Sequence, residues 1–276
     1  MKKILLIAFL IGIYVSGQWD AHALNGETLH EIKERGKLIA GIPADEPPFG
    51  FLEGKTTLKG INIDIAKFLA KEVFGKEDKV EFLPVKAEGR LDLLTSGKVD
   101  ILLTPLSITE ERKKRIDFSV PYFVSGHLIL VEQDSKVSTY RGLAGKNVGT
   151  IQGTMGDTII REVAPMATRI EFKCNSGALK ALKERKVDAL VQLDVCAFYA
   201  EEKDRSLKVI SLQPIHPSLL ALGFRKGDKE WLDLADITLL KMMATGDYRK
   251  LLGKWFGNVR GELLDFILRK EIKTRL

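Results

Sequence analysis

The stretch VDILLTPLSITEERKKRIDFSVPY, residues 99–122, decides the fold. Residues 99–103 make a short, largely apolar run stopped by Pro105. Such a run, bounded by a turn residue, reads as a buried strand. Ser107 lies just past the turn. Thr109 is placed to cap a helical turn that contains Arg112. A strand ending this way brings backbone groups and an arginine to the carboxyl edge of a sheet, where open α/β folds bind ligands. A guanidinium is a planar fork that meets a carboxylate with two parallel hydrogen bonds. Arg112 is therefore read as the clamp for a ligand's α-carboxylate.

The same alternation extends along the chain. Strands are expected at 38–42, 80–85, 99–103, 146–150, 169–173, 188–193 and 208–212, with an extended buried segment at 218–224. Helices are expected at 60–74, 90–96, 157–163, 176–184, 194–202, 229–244 and 248–255. The first of these carries Ile61, Ile65, Phe68, Leu69 and Val73 at helical spacing. Gly246 and Gly257 punctuate the last two. Strand–helix alternation argues for an α/β fold. No linker rich in Pro, Gly or Ser divides the chain.

The first residues read as a leader. Lys2 and Lys3 precede an apolar stretch at 4–15, and Ala21-His22-Ala23 fits a small-x-small cleavage pattern. The stretch is shorter than the ~20 residues that span a bilayer. The expected product is exported and starts at Leu24. Apolar residues make up 45% of the chain, enough for a packed core, and the net charge is +6. Basic residues are mixed with acidic ones, which argues against nucleic acid as a partner. The basic end of the chain (Arg269, Lys270, Lys273, Arg275) reads as a solvated helix end. Cys174 and Cys196 each follow an expected strand at one sheet edge, and a disulfide and two free thiols are both compatible with that. No metal-ligand spacing occurs, and P-loop, serine-protease and zinc-hydrolase motifs are absent.

Six motifs occur in a fixed order: PPFGF from Pro47, GINIDIAKFLA from Gly60, the stretch SGKVDILLTPLSITEERKKRIDFSVPY from Ser96, VGTIQGT from Val148, VDALVQLD from Val187 and GDYRKLLGKWFG from Gly246. In this combination the chain resembles the polar amino-acid group of periplasmic amino-acid-binding proteins of ABC transporters. The same fold serves as the ligand-binding core of ionotropic glutamate receptors. The resemblance implies a two-lobed periplasmic binding protein fold (type II), each lobe a central sheet flanked by helices and the two joined by crossing strands. It implies lobe one at 24–125 and 218–276, lobe two at 126–217, and closure about a hinge. It implies a monomer without cofactor that passes an amino acid to a membrane ABC permease.

A zwitterionic ligand needs a partner for each buried charge. The resemblance places contacts on Pro105, Ser107, Arg112, Thr154 and Asp194. In that set Arg112 and Ser107 hold the carboxylate and the Pro105 carbonyl accepts from the ammonium. Gly153-Thr154 supplies backbone N–H groups and a hydroxyl at a helix start, and Asp194 pairs with the ammonium. The chain departs from the family pattern at several positions. Glu46 stands where an aromatic residue is usual, Pro43 and Asn62 replace acids, and Met155 replaces a hydroxyl. Arg90 either binds a second carboxylate on the ligand or is a surface arginine at a helix start. Phe49 either lines the pocket or packs lobe one, and Phe51 is read as packing. A dehydratase-like enzyme acting on a small carboxylate is a second reading, with Glu46 as its acid or base. That reading gains if Asp194 does not face the cleft. A ligand-sensing partner of a membrane receptor is a third.

Overall fold

A computed structural model of the protein describes residues 27–210 and 215–257. The leader, its cleavage site and the basic end of the chain lie outside the described residues. The first half runs α1 (Glu27–Arg35), β1 (Leu38–Ile42), β2 (Asp45–Glu46), β3 (Gly50–Glu53), β4 (Thr57–Lys59), α2 (Ile61–Phe74), β5 (Val80–Pro84), α3 (Arg90–Thr95), β6 (Ile101–Leu102), α4 (Glu110–Lys113) and β7 (Ile116–Phe118). Then follow β8 (Phe123–Glu132), β9 (Asn147–Ile151), α5 (Gly156–Val163), β10 (Thr168–Phe172), α6 (Asn175–Lys183), β11 (Ala189–Leu193), α7 (Asp194–Lys203) and β12 (Leu207–Val209). The last described part holds β13 (Ile215–Leu220), β14 (Gly223–Arg225), α8 (Lys229–Thr245) and α9 (Asp247–Phe256).

Two mixed sheets carry the architecture. The first has the order β5-β1-β6-β14-β7, with β1 parallel to β5 and β6, and β14 antiparallel to both of its neighbours. The second has the order β10-β9-β11-β8-β12, with β13 also pairing to β8. Strand β8 leaves the first sheet behind, and β13 returns alongside it in antiparallel register. These are the crossing strands implied by the resemblance. A separate three-stranded sheet, β2-β3-β4, sits beside the first sheet.

Burial explains why the helices and strands form where they do. Helix α2 turns Ile61, Ile65, Ala66 and Leu69 into a core shared with Trp231, Leu239 and Leu252. Its buried Asn62 donates from Nδ2 to the Leu103 carbonyl (3.0 Å). A carboxylate could not make that bond, so asparagine at this position pins the strand that leads into the Pro105 turn. In β8, Leu128 and Leu130 pack on one face of the second sheet and Ile129 and Val131 on the other. Both faces are covered by helices, so this strand reads as a continuous apolar run rather than an alternating one.

Most expected elements appear within a few residues of their expected ends, and the differences have causes. The strand expected at 99–103 is cut to Ile101–Leu102. The Asp100 carboxylate accepts from the Ile39 N–H (2.7 Å) and so takes the place of a ladder bond. The extended segment at 218–224 splits into β13 and β14, one for each sheet. Helix α1, the small β2–β4 sheet and strands β7 and β8 are additions to the expected set.

Candidate functional site

The carboxyl ends of β1, β5 and β6 face those of β9, β10 and β11 across a cleft. The first sheet contributes Glu46, Arg90, Pro105, Ser107 and Arg112 to its lining. The second contributes Thr154, Asn175, Gln192, Leu193 and Cys196, while His127 comes from β8. About 480 Å3 of empty space lies between them, partly open to solvent.

Arg112 is held in place before any ligand arrives. Thr109 Oγ1 caps its helix by accepting from the Arg112 N–H (3.2 Å). Guanidinium Nη1 donates to the Ser107 carbonyl (2.8 Å), and Nη2 donates to the Gly153 carbonyl (3.2 Å) on the opposite side of the cleft. Burial and the nearby Arg90 charge lower its pKa to about 10, against an upward pull from Glu111, and it stays charged at neutral pH. The Ser107 hydroxyl pairs with the Ser218 hydroxyl (3.1 Å). When Ser218 donates in that pair, the Ser107 proton is left for the cleft.

Arg90 is 3% exposed and sits deep in the cleft rather than on the surface. Its Nη1 donates to Thr104 Oγ1 (3.3 Å). Burial lowers its pKa, while Glu46 and Tyr122 push it back up. Glu46 is 9% exposed. Burial raises its pKa to about 7; Arg90 opposes that rise and Asp45 adds to it. The side chain is brought here by β2–β3 pairing, in which Glu46 lies opposite Gly50.

On the other wall the expected contacts are redistributed. The Thr154 hydroxyl donates to the Ile151 carbonyl (2.6 Å) and accepts from the Gly156 N–H (3.3 Å), so it organises the turn into α5. Gly153 has φ +77° and lies against the backbone of Ala87 and Glu88. It forms part of the seam between the lobes. The carboxylate of Asp194 is not directed at the cleft. Its Oδ1 accepts from Ser125 Oγ (2.6 Å) and the Val195 N–H (2.7 Å), and its Oδ2 from the Gly126 N–H (3.1 Å). Burial raises its pKa to about 6 despite these three donors. Asp194 thus ties the start of α7 to the crossing strand β8, and its neighbour Leu193 lines the cleft instead.

Phe49 is fully buried and stacks edge-on to Phe123 (5.5 Å) and Phe256 (6.1 Å). It packs lobe one and does not line the cleft. Phe51 meets Trp255 and, across the seam, Tyr199. The two cysteines are free thiols, Cys174 at the start of α6 and Cys196 buried in the cleft wall. Sequence reasoning missed Gln192 and Asn175, both nine-tenths buried and both lining the cleft. Their position at or just beyond strand ends was the available signal.

Glu46 provides a stability test. Its folded pKa lies above the ordinary 4.5. The folded protein therefore holds this proton more tightly, and stability falls as pH rises from about 4.5 through 7. The substitution Glu46→Gln removes the buried charge. The ligand-free variant is expected to exceed the wild type by about 3 kcal/mol at pH 8 and to match it at pH 4. Urea unfolding at the two pH values measures this. An equal difference at both would show that Glu46 is not a buried ionisable group.

The two halves meet at several points around the cleft. Besides the Arg112–Gly153 bond, the Ser176 N–H and hydroxyl reach Asp45 Oδ2 (3.2 and 3.3 Å).

Comparison with known proteins agrees with this architecture. The chain is 30% identical over 267 residues to the ABC transporter glutamine-binding protein GlnH of Bacillus subtilis (strain 168), covering 92% of this chain and 97% of that one. It is 38% identical over 185 residues to a glutamine-binding protein of Geobacillus stearothermophilus, covering 66% of this chain and 71% of the other. Among solved structures it resembles an ancestral amino acid-binding protein described as a precursor of cyclohexadienyl dehydratase. That match has a TM-score of 0.78 and 35% identity, and covers 83% of this chain and 99% of the other. A family model spans residues 38–258. With two sheets, a pair of crossing strands and a cleft between them, the chain belongs to the bacterial extracellular solute-binding proteins, family 3.

Proposed function

We propose that this protein captures a polar amino acid between its lobes and delivers it to a membrane ABC importer. The observation that carries the reading is Arg112, a pre-oriented guanidinium at the mouth of a small cleft and bonded to both walls. A carboxylate entering there meets charge and fork geometry together. Relatives named as glutamine-binding proteins support an amino acid as the cargo. The ligand set proposed is Arg112, Ser107 and the Pro105 carbonyl from lobe one, with the Gly153–Thr154 turn from lobe two. Arg90 and Glu46 sit within reach of the rest of the molecule. The carboxylate expected from Asp194 is engaged by the crossing strand β8, and Glu46 is the one available in the lining among the described residues.

We place the lobe boundaries at 24–125, 126–217 and 218–276, with removal of a leader after Ala23 and a monomeric product. Mass spectrometry of the exported protein tests the cleavage. Thermal unfolding against the twenty L-amino acids tests the function. A ligand at about 100 times its Kd, bound only by the folded state, adds about 2.7 kcal/mol. A shift with one or a few amino acids supports the receptor reading. No shift with any of them overturns it.

A further inference from the structure

Helix α6 begins without a cap of its own. Its N-cap residue, Cys174, has the extended backbone of such a position (φ −161°, ψ 156°) but makes no side-chain bond to the first turn. A serine, threonine or carboxylate there would accept from the second or third N–H of the helix. That bond is made from elsewhere. Asp45 Oδ2 accepts from the Ser176 N–H (3.2 Å), the second of the helix, and from the Ser176 hydroxyl (3.3 Å). Asp45 belongs to β2, beside the first sheet, whereas α6 packs Ala178, Ala181 and Leu182 on the second. A carboxylate from one lobe thus caps a helix of the other, at the end where the helix dipole favours negative charge.

This contact differs from the bond that Arg112 makes to the Gly153 carbonyl across the same seam. Arg112 lines the cleft, and an incoming carboxylate competes for its guanidinium. Asp45 and Ser176 lie outside that lining, and Asp45 borders a neighbouring recess with Lys86, Lys173 and Cys174. Their bond needs nothing from the cargo, and it breaks when the lobes part. We infer that Asp45 is a positioning residue for amino-acid capture, which holds the cleft shut by capping α6 from the opposite lobe. The cysteine at the N-cap is part of the device, because a serine there would satisfy the helix within one lobe. The effect on affinity rests on the receptor reading; the effect on closure does not.

The test compares the wild type with Asp45→Ala, Asp45→Asn and a double variant carrying Asp45→Ala and Cys174→Ser. Asp45 raises the pKa of Glu46, so the work is done at about pH 8.5, where Glu46 is ionised with or without it. Hydrogen exchange and small-angle scattering are read first, on the ligand-free proteins. Asp45→Ala is expected to speed exchange in the first turn of α6 by about 3- to 30-fold, the range that loss of a cap gives, and to enlarge the radius of gyration. The double variant should regain the protection but keep the larger radius. Calorimetry and stopped flow follow with whichever of the twenty L-amino acids binds the wild type most tightly. Affinity should fall about 3- to 30-fold in Asp45→Ala and in the double variant, mostly through faster dissociation. Asp45→Asn keeps the acceptor and should stay within about threefold of the wild type. Unchanged exchange and radius in Asp45→Ala would overturn the latch. Recovery of radius and affinity in the double variant would reduce Asp45 to a helix cap and overturn it as well. Failure of all twenty amino acids to bind the wild type would overturn the receptor reading and leave the latch to be decided on exchange and radius.

Discussion

Replacing Arg112 with alanine is expected to weaken amino-acid binding by more than about 100-fold while leaving a folded protein. Removing one partner of a hydrogen-bonded charge pair costs about 2–5 kcal/mol, much of it from the carboxylate left without its partner. The fold should survive because the α4 turn depends on the Thr109 cap and not on the guanidinium, whose bonds go to the Ser107 and Gly153 carbonyls. Arg112→Lys keeps the charge but not the fork, and should fall between the two. Calorimetric titration with the best ligand measures the loss, and circular dichroism checks the fold. Binding by Arg112→Ala within a few-fold of wild type would move the carboxylate site elsewhere in the cleft.

The second large effect is expected at Gly153. A Cβ built there would lie 2.7 Å from the Glu88 nitrogen and 2.8 Å from the carbon and oxygen of the Ala87 carbonyl. Those atoms are backbone and cannot swing aside. They also belong to the other side of the seam. Gly153→Ala should therefore keep the lobes from meeting. The strain of alanine at φ +77° is confined to one turn and costs about 1 kcal/mol. Affinity is expected to fall by about 10- to 100-fold, with little loss of ligand-free stability. Small-angle scattering distinguishes this from simple loss of a contact, because the radius of gyration of the variant should not shrink when ligand is added. Wild-type contraction and affinity in Gly153→Ala would place the closing contact elsewhere.

The parts of this molecule that were legible in its sequence are those fixed by local chemistry. The run into Pro105, the Thr109 cap and the apolar face of α2 are set by nearest neighbours, and they appear where expected. The fate of Asp194 was not local. Leu193 and Asp194 are adjacent at a strand end, and which of them meets the cleft depends on how β11 registers on β8, where Leu193 lies opposite His127. A crossing strand from far away in the sequence then claims the carboxylate. Glu46 could be singled out as an unusual residue, but its burial beside Arg90 depends on the small β2–β3 pairing, two residues long on one side. Strand β8 was hidden for a related reason. Its Gly126 looks like a break in sequence, yet the chain stays extended there because Asp194 takes its N–H and the flanking Ser125 and His127 pair with β13.

Strand β8 behaves mechanically as a leaf spring clamped at both ends. Phe123 is fixed among Phe49 and Phe256 in one core, and Leu128 to Val131 are fixed between two layers of helices in the other. The short middle, at Ser125 and Gly126, lies buried between the two, and Asp194 grips it from the side. A hinge that opens and shuts the cleft is expected to turn at this point. The balance between the two positions is left to the few contacts along the rim and to whatever molecule fills the gap.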